Sequence, residues 1–241
     1  MTLTDVGQSK AALRQELAAR WAELWPGGPA ALRPPHFPAA GRAAERLRRL
    51  AEYRRARQVL VLADPALLQV RVNLLADHKL LLAGTPGLKD GLVRFADQMV
   101  PLLRRSKDLR GGALRQNGRP LRLPRDLPGR VDLVVGTALA VDRQGNLLGD
   151  GRGLWDAVWA VLGLAGAVSE RTLRVALVDQ AQIREETLPV EAWDVGVDLV
   201  VTPQESIRCP QARRPRPSLE GLPPALASLP LLKSARDLGN G

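Results

Sequence analysis

Apolar residues near the start of the chain recur at helical spacing, on one face formed by Leu13, Leu17, Trp21 and Leu24. This periodicity predicts an amphipathic helix over residues 10–24. Lys10 and Arg14 lie one turn apart on a flank of that helix, so the helix can present both cations together. Residues 26–38 form a proline-rich connector, and residues 39–57 predict a second helix with basic faces.

Short apolar runs farther along the chain predict strands at residues 58–62, 79–83, 133–135, 174–178 and 199–202. Residues 67–75 predict the crossover helix of a right-handed βαβ unit, and residues 155–164 predict a further helix. Between them, residues 102–128 are basic and punctuated by glycine and proline, and they predict the least ordered loop. The alternation of strands and helices predicts an α/β fold, with a mostly parallel sheet, helices on both faces and ligands at the strand ends.

A buried-looking strand over Val131–Asp142 leads into a glycine-rich turn, which precedes the helix over residues 155–164. The turn contains Gly145, Gly149, Gly151 and Gly153. Free backbone N–H groups and a helix N-terminus would face whatever lies above the strand ends, which is the arrangement of a phosphate cradle. Glycines are also the default residues of any tight strand-to-helix turn, so a purely structural role stays open.

Two carboxylates accompany this turn. Asp156 follows it directly, and Asp194 closes the segment LPVEAWD. If they converge near bound phosphates, their oxygen atoms suit a hard divalent cation such as Mg²⁺. The alternatives are structural: Asp156 can stabilise the helix N-terminus through the helix dipole, and Asp194 can be a turn or cap residue.

Length and composition favour one α/β domain. A chain of 241 residues can bury one substantial core, and we expect residues 1–203 to form it, with residues 204–241 packed on it as a tail. Only 3% of the residues are aromatic, so Leu, Val and Ala must build the core. The single cysteine, Cys209, excludes an intrachain disulfide. A polar N-terminus and the lack of an apolar run near the roughly 20 residues of a membrane span predict a cytoplasmic protein.

The net charge of +10 invites a nucleic-acid interpretation. The charge is unevenly spread, because residues 94–130 carry 10 basic and 3 acidic side chains, whereas residues 131–201 carry 5 basic and 11 acidic ones. Only 5 of the 35 basic residues are lysine, a bias that genome composition also produces. Without an aromatic RNA-recognition pattern or a zinc finger, the sequence does not favour nucleic-acid recognition.

The segment GNLLGDGRGLWD (145–156), followed by LPVEAWDVGVDLVVTP (188–203), resembles the signature pair of the 5-formyltetrahydrofolate cyclo-ligase family, also called methenyltetrahydrofolate synthetases. The N-terminal helix resembles the family's opening helix through Lys10, Leu13 and Arg14. Residues 70–91 and the tail are similar to a divergent branch, whose animal relatives carry an RNA-recognition module. The resemblance spans nearly the whole chain and implies a cyclo-ligase-like α/β fold, related to the CoA transferase-like architecture.

The resemblance also implies a reaction. Family enzymes use ATP and Mg²⁺ to activate the formyl oxygen of 5-formyltetrahydrofolate as a phosphate ester; N10 then attacks, and loss of phosphate gives 5,10-methenyltetrahydrofolate. By this resemblance the catalytic residues are Lys10 and Arg14, and the metal ligands are Asp156 and Asp194; Arg152 is a further predicted catalytic residue, particular to this chain. The implied ATP-binding residues are Lys10, Arg14, Gly149, Asp150, Gly151, Arg152, Gly153, Leu154 and Trp155. The implied partners are a reduced folate and ATP, bound by a monomer or homodimer.

This chain departs from the family pattern mainly where folate would bind. Leu147 stands where an arginine is usual, Arg152 replaces a glycine, Leu154 and Trp155 replace paired tyrosines, and Trp193 replaces His or Asn. Arg152 could supply the guanidinium missing at position 147. The alternative function is a non-catalytic or differently specific relative that binds nucleotide or a polyanion such as RNA.

Substrate contacts are therefore expected to differ here. Trp155 can stack on a planar ring or anchor its helix in the core. Arg71 stands near the family's usual acidic position and is the predicted contact to the folate glutamate tail, because a guanidinium fork suits a carboxylate. A solvated helix face is the alternative for Arg71. Nine cations of the loop at residues 102–130 are further candidates for that tail: Arg104, Arg105, Lys107, Arg110, Arg115, Arg119, Arg122, Arg125 and Arg130.

Overall fold

A computed structural model describes residues 3–25, 32–127 and 129–239. The described residues form eleven strands: β1 (Gln58–Val61), β2 (Leu80–Gly84), β3 (Leu92–Phe95), β4 (Arg119–Leu121), β5 (Leu133–Gly136), β6 (Ala140–Asp142), β7 (Leu147–Leu148), β8 (Leu173–Leu177), β9 (Ile183–Arg184), β10 (Leu199–Val201) and β11 (Ser206–Arg208). They also form eight α-helices: α1 (Leu3–Leu24), α2 (Ala40–Arg49), α3 (Ala51–Arg55), α4 (Leu68–Ala76), α5 (Arg105–Asp108), α6 (Ala113–Asn117), α7 (Leu154–Leu164) and α8 (Pro230–Gly239).

The main sheet has eight strands in the order β11-β10-β8-β5-β1-β2-β3-β4. Its five central strands are parallel, and β3, β4 and β11 are antiparallel additions at the edges. The predicted mostly parallel α/β sheet is thus confirmed. The central strand β1 is buried along its whole length, as expected of a parallel strand covered on both faces. No helix in the part of the chain described here is both long and apolar enough to cross a bilayer.

The single strand predicted over Val131–Asp142 is wrong. The chain leaves the main sheet after Gly136 and enters a second, three-stranded sheet, β7-β6-β9, at Ala140. The carboxylate of Asp142 stabilises the turn from β6 into β7, because it accepts from the backbone N–H groups of Gln144 and Asn146, both at 2.9 Å. A continuous apolar run does not show where a strand changes sheets.

Two other predictions need correction. The helix predicted over residues 39–57 is interrupted at Leu50, whose backbone is extended (φ −70°, ψ 146°), so it forms α2 and α3. The stretch predicted as the least ordered loop contains α5, α6 and β4, and β4 pairs with β3. The proline-rich connector lies outside the described residues at 26–31.

The C-terminal tail is fastened to the sheet by a buried charge network. Arg174 on β8 is 0% exposed, and its Nη2 donates to Asp198 Oδ1 at 2.6 Å. The guanidinium of Arg214 donates to both oxygens of Asp198 at 3.1 Å. Both guanidinium groups lie against the Trp159 ring, at 5.2 and 5.6 Å from its centroid, which is within cation–π range. Burial alone would raise the pKa of Asp198. The two arginines have the larger effect, so the pKa lies below its usual value.

We predict that Asp198→Asn lowers the free energy of unfolding by about 3 kcal/mol, because it leaves the buried Arg174 without its counter-charge. Urea denaturation at pH 7 measures the change. The lowered pKa means that the wild-type carboxylate stabilises the fold above the ordinary aspartate pKa of about 3.9, and that this contribution is lost as pH falls through the lower folded value.

The matched control is Glu185→Gln, in the exposed pair that Glu185 forms with Arg143, where we expect no measurable change. An Asp198→Asn protein as stable as the wild type would contradict the role of this network.

Candidate active site

A cavity of about 260 Å³ lies at the carboxyl ends of β1 and β5. This is where ligands bind in parallel α/β sheets. Four segments wall it: helix α1, the turn from β7 into α7, the segment at residues 188–195, and the tail at residues 221–223. Segments that are far apart in the chain therefore meet at one place.

Lys10 is the cation of α1 that lies deepest in the cavity wall, at 4% exposure. Its Nζ donates to Glu191 Oε2 at 2.7 Å and to Asp194 Oδ2. The backbone N–H of Glu191 donates to the same Asp194 oxygen at 2.6 Å. A buried ammonium needs such partners, because an unpaired buried charge is strongly destabilising. Glu191 is a site residue that the sequence analysis missed, although it lies only three positions before Asp194.

Arg14 lies one turn further along α1 and reaches the glycine turn. Its Nε donates to the Gly149 carbonyl at 2.9 Å, and a side-chain carbon on Gly151 would lie 3.4 Å from its guanidinium. Burial lowers the pKa of Arg14, opposed by the charges of Asp150, Asp194 and Glu191. Arg14 therefore contacts the glycine turn, whereas Lys10 lines the same cavity through its contacts with Glu191 and Asp194.

The glycine turn has the backbone that its sequence predicts. Gly151 and Gly153 have φ of +86° and +67°, a region that other residues rarely adopt, and Gly153 is the N-cap of α7. Arg152 is not among the residues that line the cavity: its Nε donates to Asp150 Oδ2 at 2.7 Å, and its Nη1 lies 3.2 Å from where a Gly87 side-chain carbon would stand. A catalytic role for Arg152 would require it to leave Asp150.

Trp155 anchors the start of α7 beside the cavity. It is 8% exposed, and its Nε1 donates to the Thr137 carbonyl at 3.1 Å. A side-chain carbon at Gly136 would stand 2.4 Å from the indole ring, so only glycine leaves room for it. Trp155 does line the cavity, but these contacts support the anchoring alternative over ring stacking.

Asp156 follows Trp155 and faces the segment at residues 188–195. Its Oδ1 accepts from the Val195 N–H at 2.9 Å. The pKa of Asp156 is raised to about 6. Burial is the main cause and the neighbouring Asp194 adds to it, whereas the Val195 N–H and Lys10 act to lower the pKa. The two predicted metal ligands, Asp156 and Asp194, are therefore close enough for their charges to interact. No group of three or more His, Cys, Asp or Glu side chains within the described ranges is placed to hold a metal ion.

Arg71 does not reach the cavity, which corrects its predicted contact to substrate. It is 0% exposed. Its guanidinium donates to three carbonyls, those of Leu62 (2.6 Å), Leu109 (3.0 Å) and Asp64 (3.2 Å). Arg71 therefore fixes the chain that follows β1. An arginine on a short helix is usually solvated, so its inward orientation could not be read from the sequence.

Asp64 occupies the position near the cavity that we expected of Arg71. It follows β1 and lines the cavity. Burial raises the pKa of Asp64, with Arg71 opposing and Asp150 adding to the effect. Its place just after a predicted central strand is the signal that could have identified it.

Two further walls come from residues that were not among the predicted site residues, although Trp193 was noted as a departure from the family pattern. Trp193 lines the cavity and packs so closely on the tail that a side-chain carbon on Gly221 would stand 2.5 Å from its ring. Pro223 packs on Gly153 in the same way, since a side-chain carbon on Gly153 would stand 2.7 Å from the proline ring. In contrast, none of the nine cations of the loop at residues 102–130 lines the cavity.

The cavity lining carries more negative than positive charge. Two cations, Lys10 and Arg14, meet five carboxylates: Asp64, Asp150, Asp156, Glu191 and Asp194. A bare polyanion would be repelled by this excess, whereas a phosphate ligand that brings a divalent cation would not. The arrangement suits a metal–polyphosphate complex.

The comparisons with known proteins agree with this geometry. The methenyltetrahydrofolate synthase domain-containing proteins of Bos taurus and Homo sapiens are each 34% identical to this chain, over 213 and 215 residues. Each alignment covers 84% of this chain and 54% of the relative. The chain thus spans about half the length of these relatives.

A solved structure supports the fold. The 5,10-methenyltetrahydrofolate synthetase of Aquifex aeolicus superposes with a TM-score of 0.53 at 18% identity, covering 88% of this chain and 98% of that protein. A model of the 5-formyltetrahydrofolate cyclo-ligase family matches residues 6–203, which is well over half of the chain. The chain with this cavity therefore belongs to the 5-formyltetrahydrofolate cyclo-ligase family.

Proposed function

We propose that this protein is an ATP- and Mg²⁺-dependent enzyme that converts 5-formyltetrahydrofolate to 5,10-methenyltetrahydrofolate in the cytoplasm. The observation that carries the proposal is the meeting of Lys10 and Arg14 with the glycine turn and with Asp156 and Asp194 in one cavity. Each of these features has a structural explanation by itself. Their convergence from three distant segments is what the binding of a metal–triphosphate requires.

In this reaction the protein mainly holds and orients the reactants. ATP supplies the phosphoryl group that converts the formyl oxygen to a phosphate ester; N10 attacks the formyl carbon, and the oxygen leaves as phosphate. Arg14 and Lys10 contact phosphate oxygens as charge-assisted donors, and the backbone of Gly149–Gly153 cradles the phosphates at the N-terminus of α7. Lys10 would give up part of its contact with Glu191 and Asp194 to do so.

The carboxylates of the cavity fit magnesium. Mg²⁺ prefers oxygen ligands and is usually held by one or two carboxylates together with substrate phosphates and water, which agrees with the absence of a dedicated three-ligand cluster among the described residues. Asp156 and Asp194 would hold it. When bound, Mg²⁺ neutralises charge on the phosphates, and the same charge offsets the acidic excess of the lining.

The second candidate is a relative that binds nucleotide without folate turnover. It is favoured by one observation: Trp155 stands where the family's tyrosines are expected, yet it is nearly buried as a helix anchor. Binding of RNA at this cavity is disfavoured, because the lining is acidic. A protein that binds Mg·ATP but produces no methenyl product would establish the second candidate.

The test of the proposed reaction is turnover. We expect the wild-type protein, mixed with 5-formyltetrahydrofolate, ATP and Mg²⁺, to produce the absorbance of 5,10-methenyltetrahydrofolate. Arg14→Gln should lower kcat by about 100-fold, since it removes a charged donor aimed at the transferring group. The matched control is Arg143→Gln, because Arg143 is an exposed arginine paired with Glu185 outside the cavity, and its kcat should be unchanged. An Arg14→Gln enzyme with wild-type kcat would contradict the assignment.

A second prediction separates a metal ligand from a helix cap. Asp156→Asn should weaken Mg·ATP binding at least 10-fold in titration calorimetry, because it removes an anionic ligand of nearly the same size. The fold should be as stable or more stable above pH 6, because the raised pKa shows that the ionised carboxylate is unfavourable in the protein alone. A cap would give the opposite result, with lost stability and unchanged affinity.

The pH dependence of the same binding provides the control. Wild-type affinity for Mg·ATP should fall as pH drops through about 6, the pKa of Asp156, since a metal ion competes with the proton for that carboxylate. Asp156→Asn should lose this step. A variant that kept the wild-type pH profile would exclude Asp156 as its cause.

A further inference from the structure

Thr137 and Thr202 occupy equivalent places in the fold, but of the two hydroxyl groups only that of Thr202 forms hydrogen bonds with the described residues. Each follows a parallel strand of the main sheet, β5 or β10, and each is buried, at 3% and 0% exposure. The Thr202 hydroxyl donates to Gln180 at 2.9 Å and accepts from the N–H groups of Gln204 and Glu205. The Thr137 Oγ1 has no hydrogen-bond partner among the described residues.

This unpaired hydroxyl belongs to a residue that lines the cavity. The Thr137 backbone is held beside the first turn of α7, because Trp155 Nε1 donates to its carbonyl at 3.1 Å. Helix α7 has 11 residues, and its first N–H groups lack partners within the helix and present partial positive charge. An anion bound at this end of α7 would therefore lie close to Thr137.

The side chain of Thr137 can bring its hydroxyl to such an anion. The β-carbon of threonine carries a methyl and a hydroxyl group, and rotation of χ1 between staggered positions exchanges their directions. A phosphate oxygen accepts a strong hydrogen bond from a hydroxyl because it is charged. The fold gains nothing from the hydroxyl, since a buried polar group without a partner is destabilising.

We infer that Thr137 is a phosphate-positioning residue, whose hydroxyl donates to an oxygen of the polyphosphate bound at the N-terminus of α7. The inference rests on the proposed function. It adds to the proposed phosphate-binding residues a side chain whose hydroxyl is needed for ligand binding but not for folding. The family resemblance assigned nothing to this position.

The test uses three variants of the full chain and titration calorimetry with Mg·ATP and with inorganic tripolyphosphate plus Mg²⁺. Thr137→Val keeps the shape of the side chain and removes the hydroxyl. It should weaken both ligands about 10- to 100-fold and leave the thermal midpoint unchanged or raised. Thr137→Ser should retain the binding. The matched control Thr202→Val should lower the midpoint, because it breaks satisfied hydrogen bonds, and should leave the Kd unchanged.

A Thr137→Val protein with wild-type Kd for both ligands would overturn the inference while the proposed function stands, whether or not its thermal midpoint is lowered. A wild-type protein that binds neither ATP nor tripolyphosphate would instead overturn the proposed function, and this inference with it.

Discussion

The buried ion pair cluster of Lys10 with Glu191 and Asp194 is the contact on which the site depends. It joins residues more than 180 positions apart and places α1 across the carboxyl edge of the sheet. A separate apolar cluster supports the same docking: Leu17 and Trp21 of α1 pack on Leu139, Leu148 and Leu188, and Trp21 Nε1 donates to the Leu139 carbonyl at 3.0 Å. Helix α1 is thus held on the small sheet, and its middle turns, at Lys10 and Arg14, form a wall of the cavity. Without this docking Arg14 would not meet Gly149.

Burial and neighbouring acids together set the charge state of the cavity. A buried lysine needs its two carboxylates, and one of them, Asp194, adds to the effect of burial in raising the pKa of Asp156 to about 6. Burial also raises the pKa of Asp64, with Asp150 adding to the effect. An acidic excess of this kind is unfavourable in the protein alone. A bound divalent cation would offset it, so the acidic lining is compatible with the metal–phosphate ligand that we propose.

Features that depend on local sequence could be predicted, and those that depend on long-range packing could not. Apolar runs identified the five parallel strands, and the glycines identified the turn before α7, because a positive φ and a short apolar run are properties of a few adjacent residues. The inward orientation of Arg71 depends on three carbonyls from two separate segments, one after β1 and the other at Leu109. The division of Val131–Asp142 between two sheets depends on β8 and β9 as neighbours. The sequence of Val131–Asp142 by itself carries no information about either neighbouring strand.

The two halves of the cavity have different origins in the chain. The half that we propose to bind phosphate is built from α1, the glycine turn and the segment ending in Asp194, all inside the region that the family model matches. The other half includes Gly221 and Pro223 from the tail, which lies beyond that region. Trp193 stands between the halves, packed on the tail at Gly221. The tail is fastened independently, through Arg214, Asp198 and Trp159. The tail also contacts the glycine turn, because a side-chain carbon on Gly153 would stand 2.7 Å from Pro223, so a substitution in this wall can disturb the backbone of the glycine turn as well as the tail.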